Sequence, residues 1–283
     1  KLGDNADQAS AAFIWAIMKR LYRARTSGAK VEKLGFIASG YARILDSLLA
    51  AADARGVTVL TNARADQVNA DPNGGAVVTL ASGEEHAFDN VVVTTPAPTV
   101  ASIVPGLTPT ERAKLEGIVY QGIICTSLVL ERPLGGFYVT NITDDGFPFT
   151  GVIEMTALVN PETFGGKSLV YLPRYTTADD EAWEWSDDEV LDRSITALQR
   201  IYPDLSGGDV VEAKVSRVRH VLAVSVINHS ASIPPVQTSV PNVAIVSSAQ
   251  ILHGTLNVDE TLGVIEEAIP QLRAMTTAAK ELT

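Results

Sequence analysis

The chain has 283 residues, 46% of them hydrophobic and 19% charged, the make-up of an ordinary globular protein with room for one or two domains of roughly 100 to 200 residues. An excess of 33 acidic over 22 basic residues leaves a formal charge of −11, which opposes attraction to a phosphate backbone and argues against nucleic acid as a partner. The single cysteine, Cys125, excludes an intrachain disulfide and a thiolate metal site, while no apolar run approaches the about 18 residues of a membrane span and no signal-peptide pattern opens the chain.

The first residues, Lys1-Leu2-Gly3-Asp4, carry no initiator methionine and read as interior sequence. Residues 10–25 predict a helix, with Phe13, Ile14, Ile17, Met18, Leu21 and Tyr22 at helical offsets. Lys19, Arg20, Arg23 and Arg25, with Lys30 and Lys33 beyond, form a basic cluster in an acidic chain. That cluster either attracts an anionic substrate or lipid headgroups, or simply complements the negative end of the helix. Residues 41–55 predict a second helix through Ile44, Leu45, Leu48, Leu49 and Ala52, with Gly56 placed to close it in a left-handed conformation. A strand at 57–60 follows at once. Residues 65–69, 76–80 and 85–88, separated by Asp71-Pro72-Asn73-Gly74-Gly75 and Ser82-Gly83, read as an antiparallel meander. The run Val91-Val92-Val93-Thr94-Thr95-Pro96 is apolar on both faces, as in a strand covered on both sides.

Residues 99–103 and 108–117 return to helical spacing, the second opening on Thr108 as cap, Pro109 at the first helical position and Glu111 in the first turn. A long strand at 119–131 precedes strands at 137–141, 148–155 and 167–173. Residues 179–188 are acidic and carry Trp183 and Trp185, the pattern either of a solvated face with an aromatic anchor or of a lid. A helix at 188–202 ends before Pro203, residues 210–218 alternate as a strand, and the segment through Pro234-Pro235 is irregular. A short apolar strand at 243–246 and a helix at 258–279, which Pro270 should bend or interrupt, close the chain. The two apolar parallel-type strands, 91–95 and 243–247, bracket everything between them.

The succession of a glycine-containing turn and helix, the run ARGVTVLTNARADQV, a meander and the run FDNVVVTTPAP resembles the middle of the FAD-dependent amine oxidase superfamily, which includes protoporphyrinogen oxidases and phytoene desaturases. The similarity continues through most of the chain, and Ser39-Gly40 partly matches a Gly-Gly pair of relatives. The resemblance implies an α/β fold of the mixed α+β kind, in which an incomplete FAD-binding sheet with a β-meander carries an inserted substrate domain of antiparallel or mixed sheet and helices. It assigns residues 35–98 and 240–283 to a partial FAD-binding domain and residues 1–34 and 99–239 to the substrate domain. It further implies FAD as cofactor, a small or lipophilic substrate, and hydride transfer from that substrate to the flavin. The superfamily's most specific signature is a Gly-x-Gly-x-x-Gly turn that opens a helix after the first strand and lets backbone approach the pyrophosphate. Here the glycine pairs beginning at Gly74, Gly135, Gly165 and Gly207 all stand in hairpin or loop contexts. That departure implies the C-terminal portion of a longer enzyme, inactive alone, with the N-terminal FAD-binding segment as a missing partner. An inert buried thiol fits a reducing cytoplasm.

Carried over residue by residue, the resemblance places the backbone of Ala65 against the adenine and Thr94, Thr95 and Pro96 at the strand end beside the dinucleotide. It places residues 246–251 and 256–261 beside the flavin, so Ala65, Thr95, Pro96, Gln250, Asn257 and Val258 are the candidate cofactor-binding residues. Ser247-Ser248-Ala249-Gln250 departs from the glycine and acid that relatives show there. Each of these positions also has an ordinary reading as sheet or turn. Hydride transfer mainly needs the substrate carbon held against the flavin, so spacing alone selects no catalytic residue. His253, in the loop expected to face the flavin, Tyr120 and Arg174 are the catalytic candidates, with Tyr171, Tyr175, Arg217, Arg219 and His220 on nearby strands. No Gly-x-Ser-x-Gly turn supports a hydrolase, and four scattered histidines suggest no metal site. The reading from a different class is a noncatalytic binding or scaffold subunit that uses the basic helix and the tryptophan-bearing acidic segment as contact surfaces.

Overall fold

The computed structural model describes residues 2–23, 35–37, 40–252 and 254–281. Helix α1 (Ala11–Arg23) buries Phe13 and Ala16 and leaves Ile14, Trp15, Met18 and Tyr22 exposed. Helix α2 (Gly40–Asp53) closes as its sequence dictates: Gly56, at φ +75°, donates to the Asp53 carbonyl, and Val57 donates back to Ala52. Glycine adopts that left-handed geometry without a Cβ penalty. Strands β1 (Ala65–Ala70), β2 (Ala76–Leu80) and β3 (Glu85–Phe88) form the predicted antiparallel meander. Its first turn requires Gly75, because a Cβ there would strike the Phe88 carbonyl oxygen. Strand β4 (Val91–Val93) runs through Pro96 into α3 (Ala97–Ile103). Helix α4 (Pro109–Glu116) opens on a capping box between Thr108 and Glu111, so two of the otherwise unpaired N-terminal amides find acceptors.

Strands β5 (Tyr120–Leu130), β6 (Val139–Asn141), β7 (Gly151–Glu154) and β8 (Ser168–Thr176) precede α5 (Asp187–Ile201) and β9 (Val210–Ala223). A single-turn helix, α6 (His229–Ser232), the strand β10 (Val243–Ile245) and the long helix α7 (Val258–Glu281) complete the chain.

The chain divides into two compact units. The first, Lys1–Gln8 with Tyr120–Val224, is built on a five-stranded antiparallel sheet of order β6-β7-β8-β5-β9. Strand β5 shows the period of two expected of a sheet with unequal faces. Ile124, Thr126, Leu128 and Leu130 are fully buried, whereas Ile123, Cys125, Ser127 and Val129 are half-buried. The buried face packs against α5 in a core of Leu128, Leu130, Val170, Leu172 and Leu198, and a Thr126–Ser194 hydroxyl pair at 3.0 Å satisfies the polar atoms caught there.

The second unit, Ala9–Val119 with Ser225–Thr283, holds the meander and a parallel pair, β10 beside β4, in register from Val243 opposite Val91 to Ile245 opposite Val93. The two bracketing strands read from the sequence, 91–95 and 243–247, thus lie side by side over three rungs. Helix α3 packs on β1 and against α4 through Ala97, Val100, Ala101 and Leu115. The Arg112 guanidinium donates to the carbonyls of Ala101, Val104 and Pro105, satisfying acceptors that the end of α3 leaves open.

Several expectations need correction. Residues 57–60 form no strand: beyond the Val57 amide, none of their backbone groups has a hydrogen-bond partner among the described residues. Val57, Val59 and Leu60 are 52%, 50% and 61% exposed, and α2 beside them in sequence buries no residue. Val92 faces outward, so β4 is covered on one side only. Pro270 does not interrupt α7, which continues through it. The unit of the parallel strands includes residues 99–119 and 225–239, as α3 and α4 pack there and the Glu111 carboxylate takes the Ser239 amide at 2.6 Å.

Candidate functional site

In an open parallel sheet, ligands settle beyond the carboxyl ends of the strands, where loops diverge and backbone groups point outward. In the second unit that end is defined by the Val246 amide donating to the Val93 carbonyl at 3.1 Å. Two residues past the last rung stand Thr95 on one strand and Ser247 on the other. Their hydroxyl oxygens are both shielded from solvent and have no hydrogen-bond partner among the described residues. Two such orphans just past the end of one strand pair are unusual in a folded interior, where nearly every buried polar atom is paired. They fit one wall of a site for a ligand with several hydroxyl, phosphate or carbonyl groups, which is the chemistry of a dinucleotide.

The sequence-derived cofactor residues play different parts. Pro96 caps α3 and its carbonyl accepts from Thr99 and Val100. Ala65 begins β1 opposite Leu80, next to an irregularity in the pairing with β2, and β1 lies close to β10. The Gln250 side chain is fully engaged: its amide donates to the Pro234 and Ile245 carbonyls, each at 3.2 Å, and its oxygen accepts from Ser247 at 2.9 Å. Gln250 thus braces the turn instead of offering a free group. Asn257 caps α7 by accepting from the Glu260 amide at 3.0 Å, and Val258 is the exposed first residue of that helix. His253 lies outside the described residues. His229, which periodicity did not single out, is buried and contacts the Ala249 carbonyl at 3.2 Å through Nε2. Burial pushes its pKa down against the opposing pull of that carbonyl, so the neutral ring braces the same turn from the other side.

In the first unit, the less covered sheet face carries Tyr175 opposite Ile123, Pro173 opposite Cys125 and Tyr171 opposite Ser127. Burial, with a smaller contribution from Cys125, raises the pKa of Tyr171 and Tyr175, and burial likewise raises that of Cys125. All three therefore stay protonated near neutrality, leaving an uncharged, partly aromatic surface. Tyr120 is buried with its ring edge-to-face against His220, centroids 5.0 Å apart.

Arg174 is not free. Its Nη2 meets Asp180 at 3.0 Å, and its guanidinium lies 5.1 Å from the centre of the Trp185 ring. Arg193 stacks on the same ring at 4.2 Å and Arg219 stacks on Trp183 at 4.4 Å. Arg217 reaches Asp187 and the Trp185 carbonyl. These contacts tie the acidic, tryptophan-bearing segment against the sheet, which favours the aromatic-anchor reading. Sequence inspection also missed Glu154. Its buried carboxylate accepts from the successive amides of Leu134, Gly135 and Gly136 at 3.0, 3.2 and 3.0 Å and from the Ser168 hydroxyl at 3.3 Å. Among the described residues no group of His, Cys, Asp or Glu could hold a metal ion, and no helix is long and apolar enough to cross a membrane.

A parallel strand pair with a meander and an inserted antiparallel sheet define a mixed α/β protein of the flavin amine oxidase type. Residues 3–255 match the family model for flavin containing amine oxidoreductases, and the chain belongs to that family. No curated protein matches it. Among solved structures it is similar to a provisionally assigned protoporphyrinogen oxidase from Exiguobacterium sp., at TM-score 0.69 and 12% identity over 98% of this chain and 59% of that one. It is similar to an oxidoreductase from Methanosarcina mazei, at TM-score 0.61 and 19% identity over 81% of this chain and 54% of that one. A reduced UDP-galactopyranose mutase matches at TM-score 0.57 and 14% identity, over 76% of this chain and 48% of that one. The chain thus spans about half to three-fifths of the length of these relatives.

Proposed function

We propose that the chain is the C-terminal, substrate-domain portion of an FAD-dependent oxidoreductase of the amine-oxidase type, taking hydride from a small or lipophilic substrate in the cytoplasm. FAD, where bound, supplies the hydride acceptor. The residues of this chain do the rest: the ends of β4 and β10, through Thr95 and Ser247, hold polar groups of the cofactor, and Gln250, His229 and Asn257 keep the adjoining turns in place.

The observation that carries this reading is the pair of orphan hydroxyls at the carboxyl end of two parallel strands. The exposed, unpaired run Val57-Thr58-Val59-Leu60 supports its second half. An apolar segment with open backbone groups is a docking edge for another strand, so we assign that edge to a strand–turn–helix carrying the Gly-x-Gly-x-x-Gly turn. In this reading the chain alone is inactive and holds FAD weakly.

Titration of the purified chain with FAD, followed by flavin fluorescence, tests the proposal. Little uptake is expected from the chain alone, with binding and substrate oxidation restored by a strand–turn–helix segment encoded next to residue 1. Tight stoichiometric uptake by the chain alone would show that no further segment is needed. Absence of flavin binding even with that segment present would favour a noncatalytic scaffold.

A further inference from the structure

Helix α1 presents two unlike sides. Phe13 and Ala16 are buried and Ile17 is half-buried, so this side packs on the rest of its unit. The Arg20 guanidinium donates to Thr255 Oγ1 at 3.0 Å, which helps to fix the rotation of the helix. Ile14, Trp15, Met18, Leu21 and Tyr22 are 43–67% exposed. At about 100° per residue these five fall in one continuous stripe about 120° wide, with exposed Lys19 one turn on from Trp15 at its border. The charge around the helix is segregated too. From Gln8 to Val31 the chain carries Lys19, Arg20, Arg23, Arg25 and Lys30 and no acidic residue, in a protein of formal charge −11.

We propose that α1 lies in the surface of an anionic bilayer, with its apolar stripe at the acyl boundary and the cations of this segment among the headgroup phosphates. The occupant follows from the two properties together. Nucleic acid would answer the charge but leave the stripe in water, and a zwitterionic surface would take the stripe but not the charge. An anionic bilayer meets both. Trp15 and Tyr22 stand about 10 Å apart along nearly one line of the helix, and their rings, apolar with a polar edge, favour the headgroup level. A 13-residue helix is about 20 Å long, too short for the about 30 Å hydrocarbon core, so it rests in the plane of the surface instead of crossing it. The contact involves one helix of the second unit and does not depend on flavin binding.

Cosedimentation of the full chain with vesicles tests this, using phosphatidylcholine alone and phosphatidylcholine mixed two to one with phosphatidylglycerol. Binding to the anionic vesicles is expected to be at least about tenfold tighter and to weaken as salt rises. Trp15→Gln combined with Met18→Gln keeps the charge and the helix propensity but removes apolar surface, and should weaken binding at least about tenfold. Lys19→Gln should weaken it about fivefold. Trp15→Phe should bind nearly as the parent does, yet lose most of the quenching of tryptophan fluorescence by brominated acyl chains, because Trp183 and Trp185 lie outside α1. The substituted side chains are all exposed, and far-ultraviolet circular dichroism checks that the variants stay folded. No uptake by anionic vesicles, equal uptake by both compositions, or unchanged binding in the double variant would overturn the proposal. Self-association that the double variant abolishes, without vesicle uptake, would overturn it as well and assign the stripe to a second copy of the chain. If a variant unfolds, the comparison of the two vesicle compositions on the unaltered chain still decides the matter.

Discussion

The Val246 amide donates to the Val93 carbonyl at 3.1 Å, extending the parallel pairing of β4 and β10 to the point where both chains turn away. Thr95 and Ser247 come next, each with a buried hydroxyl that bonds to nothing described. A hydroxyl buried without a partner contributes a desolvation penalty and no bond energy. Ser247→Ala and Thr95→Val should therefore leave the isolated chain unchanged or stabilise it by up to about 1 kcal/mol, while weakening flavin binding in the assembled enzyme. Urea denaturation checks the first half. A loss of more than about 1 kcal/mol would mean that both hydroxyls already have partners.

Glu154 makes the opposite case. Three consecutive amides and a hydroxyl converge on its buried carboxylate. Glu154→Gln would turn an amide group toward those donors and remove the charge that strengthens the bonds, so stability should fall by about 2 kcal/mol in urea denaturation. An unchanged midpoint would contradict the arrangement.

Acid should loosen the contact between α4 and the segment before β10. Burial raises the pKa of Glu111, but hydrogen bonds from Ser239 and Thr108 outweigh it and bring it from an ordinary 4.5 to about 2. A carboxyl depressed on folding contributes stability that is fully present above pH 4.5 and is lost as pH falls toward 2. Because the group is largely open to solvent, screening limits the effect to about 1 kcal/mol. Glu111→Gln should flatten the stability–pH curve across that window, as measured by thermal unfolding at successive pH values. A curve of unchanged slope would show that another carboxylate governs it.

Gly122 leaves space that nothing else could. A Cβ there would lie 2.5 Å from Trp183 Cζ2, 2.8 Å from Thr176 Oγ1 and 3.0 Å from the Arg219 carbonyl oxygen. Trp183 cannot simply withdraw, since its Nε1 donates to the Thr177 carbonyl at 2.8 Å and Arg219 stacks on its ring. Gly122→Ala should destabilise the first unit by about 1–3 kcal/mol and shift tryptophan emission. A variant as stable as the parent would mean that the tryptophan is loosely held.

Much of this architecture was legible because it rests on local chemistry. The Thr108 cap of α4 and the glycines at 56, 74 and 75 announce their roles within a few residues. The apolar runs at 91–93 and 243–245 marked two strands that pair in parallel, although β4 turns out to be covered on one side only. What escaped was whatever depends on distant partners. Glu154 looks like any strand glutamate until the loop carrying Gly135 and Gly136 folds over it. The tryptophan and Asp180 contacts of Arg174 and Arg219 could not be read because they depend on how the acidic segment folds back onto the sheet. Residues 57–60 have the composition of a strand, but a strand is a pairing, and no partner stands beside them among the described residues.

Amide hydrogen exchange on the isolated chain tests the half-built cradle most directly. The Val91 and Val246 amides, bonded to the Asn242 and Val93 carbonyls, should exchange only through extensive unfolding, whereas those of Thr58, Val59 and Leu60 should exchange at close to the unprotected rate. Protection at 58–60 equal to that at Val246 would mean that the edge is already filled and that the chain awaits no further strand.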